Sequence, residues 1–185
     1  MIARLTAALS LAGALLALAP ATGWTRFYSA KYRFFTFYPP GWHILSASDW
    51  PRLEVINFPT SEAGHGTVLT EDGADIMVIP PAEPGGNIDD LVAQSIKFVH
   101  DPPSIDQTIL TRTTDPNHCP TLRQVSYYEN LGTELTPVLE QVTTYYCEVH
   151  NRIFRVTLTY YRGNKDTDML EGLARTVVDT LRVYK

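Results

Sequence analysis

The chain has 185 residues, with 15 Lys and Arg against 20 Asp and Glu and a formal net charge of −5. An acidic chain without a long basic run is a poor ligand for nucleic acid or for an anionic lipid surface, so neither is expected as a partner. The length suits one domain with a sizeable core.

Residues 1–21 carry Arg4, an apolar run from Leu5 to Leu18, and then Ala19-Pro20-Ala21. This is the pattern of a secretory signal peptide: a short basic start, an apolar stretch too short to span a bilayer comfortably, and small residues at a cleavage site. The expectation is cleavage after Ala21, leaving a single domain over residues 22–185 that is periplasmic or secreted and has no stable membrane insertion. An uncleaved anchor is the alternative. No cysteine follows the apolar run, which argues against a lipid anchor.

The mature chain opens with a short extended piece at Arg26-Phe27-Tyr28. Residues 33–38 read as a strand with aromatic rings on both faces, stopped by Pro39-Pro40-Gly41, because neither proline donates to a ladder. Trp42-His43-Ile44-Leu45 begins the next strand, giving a strand–turn–strand opening. Residues 46–51 form a loop or helical turn, 52–58 alternate as a strand, and 60–73 are polar with a β-like piece at 67–70. Ala74-Asp75-Ile76-Met77-Val78-Ile79 reads as an interior strand.

Asn87 then caps a helix that runs to about His100, with Ile88, Leu91, Val92, Ile96 and Val99 at helical spacing. A strand over 105–114 follows. The stretch 138–161 is the centre of the fold: two runs rich in Val, Thr, Tyr and Phe around a polar break at His150-Asn151. In the second run Phe154, Val156, Leu158 and Tyr160 share one face. The chain closes on an amphipathic helix capped by Asn164, Asp166 or Asp168. Met169, Leu170, Leu173, Ala174, Val177, Val178 and Leu181 form its apolar stripe, and Arg175 and Arg182 lie near its C-terminal end. Mostly hairpin connections with one central and one final helix predict an α+β fold, an antiparallel sheet of about six to eight strands flanked by helices.

Cys119 and Cys147 are the two cysteines, and in an exported chain they predict one disulfide. A hairpin pairing residues 121–129 with 138–148 about Gly132-Thr133-Glu134 brings them nearly opposite each other. Closing that loop contributes roughly 3–4 kcal/mol in the chain-entropy account. Two free buried thiols are the alternative. The same register places Arg123 on the face of Tyr145, which needs either a bulge or a partner carboxylate.

The string Tyr28-Ser29, Lys31-Tyr32, Phe34, Tyr38-Pro39, Gly41-Trp42 resembles the opening of PsbP-like domains. That family shares an α/β/α sandwich fold with the Ran guanine-nucleotide-release-factor type. The resemblance implies a fold and no catalytic site.

Reactive constellations are sparse. There is no G-x-S-x-G elbow, no H-E-x-x-H, no P-loop and no dinucleotide fingerprint. No catalytic residue is assigned and no cofactor is expected. His118 and His150 stand near the two cysteines and are the weak candidates for a metal, with Glu148 or Asp115 as further ligands, against the plainer reading of solvated turn histidines. His65, beside Glu62, Glu71 and Asp72, is weaker still. The pairs Tyr127-Tyr128, Tyr145-Tyr146 and Tyr160-Tyr161 suggest either an outward aromatic strip across the sheet or rings buried under a helix. The functional expectation is an exported, non-catalytic accessory domain that engages a protein partner through an exposed apolar or aromatic patch. A small-ligand or metal-binding module and a hydrolase with an unrecognised site are the alternatives.

Overall fold

A computed structural model describes residues 22–45, 52–58, 69, 72–81, 85–99, 108–112, 119, 121–131 and 137–184. The expected signal peptide, the loop at 46–51, His65, His118 and all of the 67–70 piece except Leu69 lie outside them.

Seven strands form one antiparallel sheet: β3 (His43–Ile44), β4 (Leu53–Ile56), β5 (Ala74–Ile79), β6 (Thr108–Arg112), β7 (Leu122–Leu131), β8 (Pro137–Val149) and β9 (Arg152–Tyr161). Their order is β3-β4-β5-β9-β8-β7-β6, so the two longest β-rich runs sit at the centre. The β8–β9 hairpin turns on His150 and Asn151, whose φ values of 50° and 57° suit a two-residue turn matched to strand twist. Register then follows from burial. Phe154, Val156 and Leu158 are wholly buried on one face of β9, and slipping by one residue would expose them all.

A second sheet was not anticipated. It joins β1 (Thr25–Ser29), β2 (Phe34–Tyr38) and β10 (Arg182–Val183) in the order β1-β2-β10. The expected strand–turn–strand opening therefore divides between two sheets: β2 belongs to the small sheet and β3 to the large one. Pro39-Pro40-Gly41 redirects the chain, with Gly41 at φ 78°, instead of closing a hairpin.

Two helices complete the layers, α1 (Ile88–Val99) and α2 (Thr167–Thr180). On one face of the large sheet, α2 and the inner face of the small sheet build the main core, where Phe34 meets Phe154 edge-on at 5.4 Å between ring centres. On the other face, Ile88 and Val92 of α1 pack on Leu122, Tyr146 and Ile153. The result is the expected α+β architecture with helices on both faces of an antiparallel sheet.

The terminal helix departs from its sequence reading in two places. Met169 is 54% exposed and lies off the buried stripe, whereas Leu170, Ala174, Val177, Val178 and Leu181 are buried on it. Asp166 occupies the N-cap position without a side-chain cap bond, and Asn164 makes the turn instead, its Oδ1 accepting the Asp166 amide at 2.8 Å. The helix ends at Thr180, with Leu181 extended, and Arg182 opens β10 while lying near the helix C-terminus as expected, its Nη1 donating to the Asp179 carbonyl at 2.8 Å.

Candidate functional site

Cys119 and Cys147 form a disulfide, with Cα atoms 5.0 Å apart. Cys147 is fully buried in the main core and Cys119 packs against it, so the bridge ties the start of β7 to β8. His150 lies exposed in the β8–β9 turn. Among the described residues, no group of three or more His, Cys, Asp or Glu side chains is placed to hold a metal.

The tyrosine pairs resolve mainly as core. Tyr145 and Tyr146 point to opposite faces and are 2% and 1% exposed, because α2 covers one face and α1 the other. Tyr161 is half-buried beside Ile56, Phe58 and Leu69.

Polar groups gather at two places on the large sheet. On the α2 side, Glu171 stands over Arg123, Thr143, Tyr145 and Tyr160, which the register of β7, β8 and β9 puts on one face. Its Oε1 accepts from Thr143 at 2.7 Å and Tyr160 at 3.3 Å, and its Oε2 accepts from Tyr145 at 2.6 Å and Arg123 at 3.3 Å. Of the two solutions expected for Arg123, the partner carboxylate is the one adopted. Burial, followed by the Glu171 hydrogen bond, pushes the Tyr145 phenol up to about 12. Burial and the Glu171 charge likewise raise Tyr160. Both phenols stay protonated as donors at neutral pH, so the cluster clamps helix to sheet.

The opposite face carries Glu54 and Asp75 on adjacent strands. Arg52 pairs with Glu54 at 3.0 Å. Asp75 is raised to about 8 by burial first and then by the Glu54 charge, so it holds a proton at neutral pH.

The small sheet presents a different chemistry. The β1–β2 register places Arg26 opposite Phe37 and Tyr28 opposite Phe35, and β10 adds Arg182 opposite Phe35. These side chains share the face turned away from the core. The Arg26 guanidinium lies 4.1 Å from the centre of the Phe35 ring, and Phe35 meets Phe37 edge-on. Tyr28, 55% exposed, stacks on Tyr184 with ring centres 5.1 Å apart. The Tyr184 hydroxyl donates to the Ser29 carbonyl at 2.9 Å, and its amide donates to the Arg33 carbonyl, which holds the chain end against the turn between β1 and β2. Arg33, exposed at φ 53°, and Arg26 both act on the Tyr184 phenol electrostatically. No acidic residue precedes Asp49 in the whole chain. The face is thus aromatic and cationic on an acidic protein. The exposed rings gather here, on the small sheet, whereas Tyr145, Tyr146 and Tyr160 of the paired tyrosines are buried.

The yeast Ran-binding protein Mog1p (Saccharomyces cerevisiae) superposes on 86% of this chain and 95% of its own with a TM-score of 0.51, at 8% sequence identity. This chain has the PsbP-like fold. Two other solved structures are similar over nearly the same span. CyanoP, a cyanobacterial PsbP from Synechocystis, covers 90% of this chain and 95% of that one at 12% identity and a TM-score of 0.44. LpqN of Mycobacterium tuberculosis, described as involved in cell envelope biogenesis, covers 88% and 91% at 15% identity and a TM-score of 0.46. No protein-family model matches the sequence, and no curated protein matches it. At 8% identity the fold alone is what this chain shares with Mog1p. The aromatic–arginine face is read from this chain's own residues.

Proposed function

We propose that this protein is an exported accessory domain that works by binding a protein partner and has no catalytic centre of its own. The observation that carries the reading is the outer face of the small sheet, where Tyr28, Phe35, Phe37 and Tyr184 stand with Arg26 and Arg33. Aromatic residues and arginine are the side chains enriched at protein interfaces and at their energetic centres. The rings are held rigid by stacking and by the strand ladder, so little conformational freedom is lost when a partner covers them. Mog1p, which has the same fold, is described as a Ran-binding protein, so the fold is compatible with protein recognition.

Export is supported by the expected leader, residues 1–21, and by the Cys119–Cys147 bridge, since such bonds persist in oxidising compartments. Once the leader is cut after Ala21, the domain is a free periplasmic or secreted protein in this reading.

The test is site-specific photo-cross-linking in an exporting cell. A photo-reactive phenylalanine replaces Tyr28 in one variant and Met169, exposed on α2, in another. A discrete protein adduct from position 28 and none from 169 is the expected result. Equal adducts from both positions, or none from position 28, would overturn the reading.

A further inference from the structure

We propose that the outer edge of β1, together with the aromatic–arginine face beside it, takes an acidic extended segment of the partner as an added strand. This rests on the protein-binding reading above and names the chemistry of its partner.

The edge supplies the first observation. Among the described residues β1 pairs with β2 alone, and no described strand lies along its other side. Thr25, Arg26 and Tyr28 are exposed along it, and the strand contains no proline or lysine, two common devices that protect an edge from pairing. Five residues span about 17 Å, the usual length of a strand in a sheet. Such an edge is the template for strand addition, in which the backbone ladder supplies affinity and the alternating side chains supply specificity.

Charge supplies the second. β1, β2, β10 and the turn at residues 30–33 contain Arg26, Lys31, Arg33 and Arg182 and no Asp or Glu, on a chain whose net charge is −5. Arg182 is the least available, since its Nη1 donates to the carbonyls of Asp179 and Leu181. Arg26 lies against the Phe35 ring, an arrangement that leaves guanidinium N–H groups at its rim for a carboxylate. A second copy of this chain would bring two such cationic edges side by side, an arrangement that like charges oppose. A polyanionic glycan or nucleic acid meets the charge but has no peptide ladder to complete the edge.

Register supplies the sequence pattern. Positions of the added strand on the outer face fall beside Arg26 and Tyr28, and those on the inner face fall beside Phe27, which packs against the core. The segment therefore alternates acidic with apolar residues.

The probe is a capped peptide of about ten residues alternating glutamate and valine, long enough to cover β1. It is titrated into the isotope-labelled mature protein while the backbone amides are followed by nuclear magnetic resonance. The expected result is slowed exchange and shifted signals at residues 25–29, no binding of the lysine–valine counterpart, and about a tenfold or greater loss when alternate peptide nitrogens are methylated along one edge. Arg26→Glu with Arg33→Glu weakens binding by about tenfold or more while the spectrum of the remaining chain is unchanged. Equal binding of acidic and basic peptides, indifference to methylation, or concentration-dependent pairing of the protein through β1 without peptide would overturn the proposal. If the glutamate–valine peptide fails while the Tyr28 cross-link forms, the face still binds protein and only the acidic strand is lost. If the cross-link is also absent, the reading beneath it fails too.

Discussion

The Glu171 carboxylate accepts the Tyr145 hydroxyl at 2.6 Å, joining the terminal helix to a central strand across 26 residues of chain. Arg123, from the strand on the other side of β8, reaches the same carboxylate oxygen. With Tyr160 of β9, three strands therefore meet on one half-buried carboxylate of the helix, and the register already places their donors side by side.

Glu171→Gln keeps the shape and removes the charge. Hydrogen bonds to a charged acceptor are worth about 1.5–3 kcal/mol, so the free energy of unfolding falls by that amount and the denaturant midpoint drops with little change in slope. A cycle with Arg123→Met reads a coupling of about 1 kcal/mol, and additive effects would show that the two residues act independently.

Asp75 makes stability pH-dependent in a direction opposite to that of most carboxylates. Its folded pKa is raised from 3.8 to about 8, so between those values the folded chain holds a proton that the unfolded chain has lost. Its contribution is fully present below about pH 4 and is lost as pH rises through about 8, with a limiting slope on the order of 1.4 kcal/mol per pH unit. Asp75→Asn flattens that slope in thermal or denaturant melts taken across the window. An unchanged profile would place the buried proton elsewhere.

Thr180 fastens the small sheet to the helix end. Its hydroxyl accepts the Phe37 amide at 3.3 Å, donates to the Thr176 carbonyl at 2.8 Å and lies 3.1 Å from the Thr36 hydroxyl. Thr180→Val leaves the Phe37 N–H without that acceptor and costs about 1–3 kcal/mol. Hydrogen exchange at Phe37 accelerates more than at Val156 in the centre of the large sheet.

The Cys119–Cys147 bridge spans a sequence separation of 28. Replacing both cysteines by serine lowers stability by roughly 3–4 kcal/mol. Cys147 is wholly buried and Cys119 only half-buried, so reductant reaches the bridge through the Cys119 sulfur. Rapid reduction without any loss of folded signal would show that the bridge contributes little.

Much of this architecture is legible in the residues because it depends on short-range alternation. Phe154, Val156, Leu158 and Tyr160 can be buried together only as a strand, and the aromatic rings at 34–38 alternate between two faces whichever sheet receives them. The stripe Leu170, Ala174, Val177 and Val178 declares its helix in the same way, by a period of 3.6. The conflict at Arg123 is visible too, since its register with Tyr145 demands a counter-charge, but Glu171 reads as an ordinary exposed helix acid until the helix is laid on the sheet. The candidate face left one signal, the absence of any acid before Asp49. What gives that signal a meaning is the two-residue β10, which arrives from the far end of the chain and turns Tyr184 against Tyr28. Local sequence determined which residues form strands and helices and which side of each is apolar, because those are properties of backbone period and of solvent. Tertiary structure alone decided that β2 leaves the large sheet, that Glu171 serves three elements, and that rings and arginines converge at one edge. Each of those brings together residues distant in the chain, and no local pattern encodes that meeting.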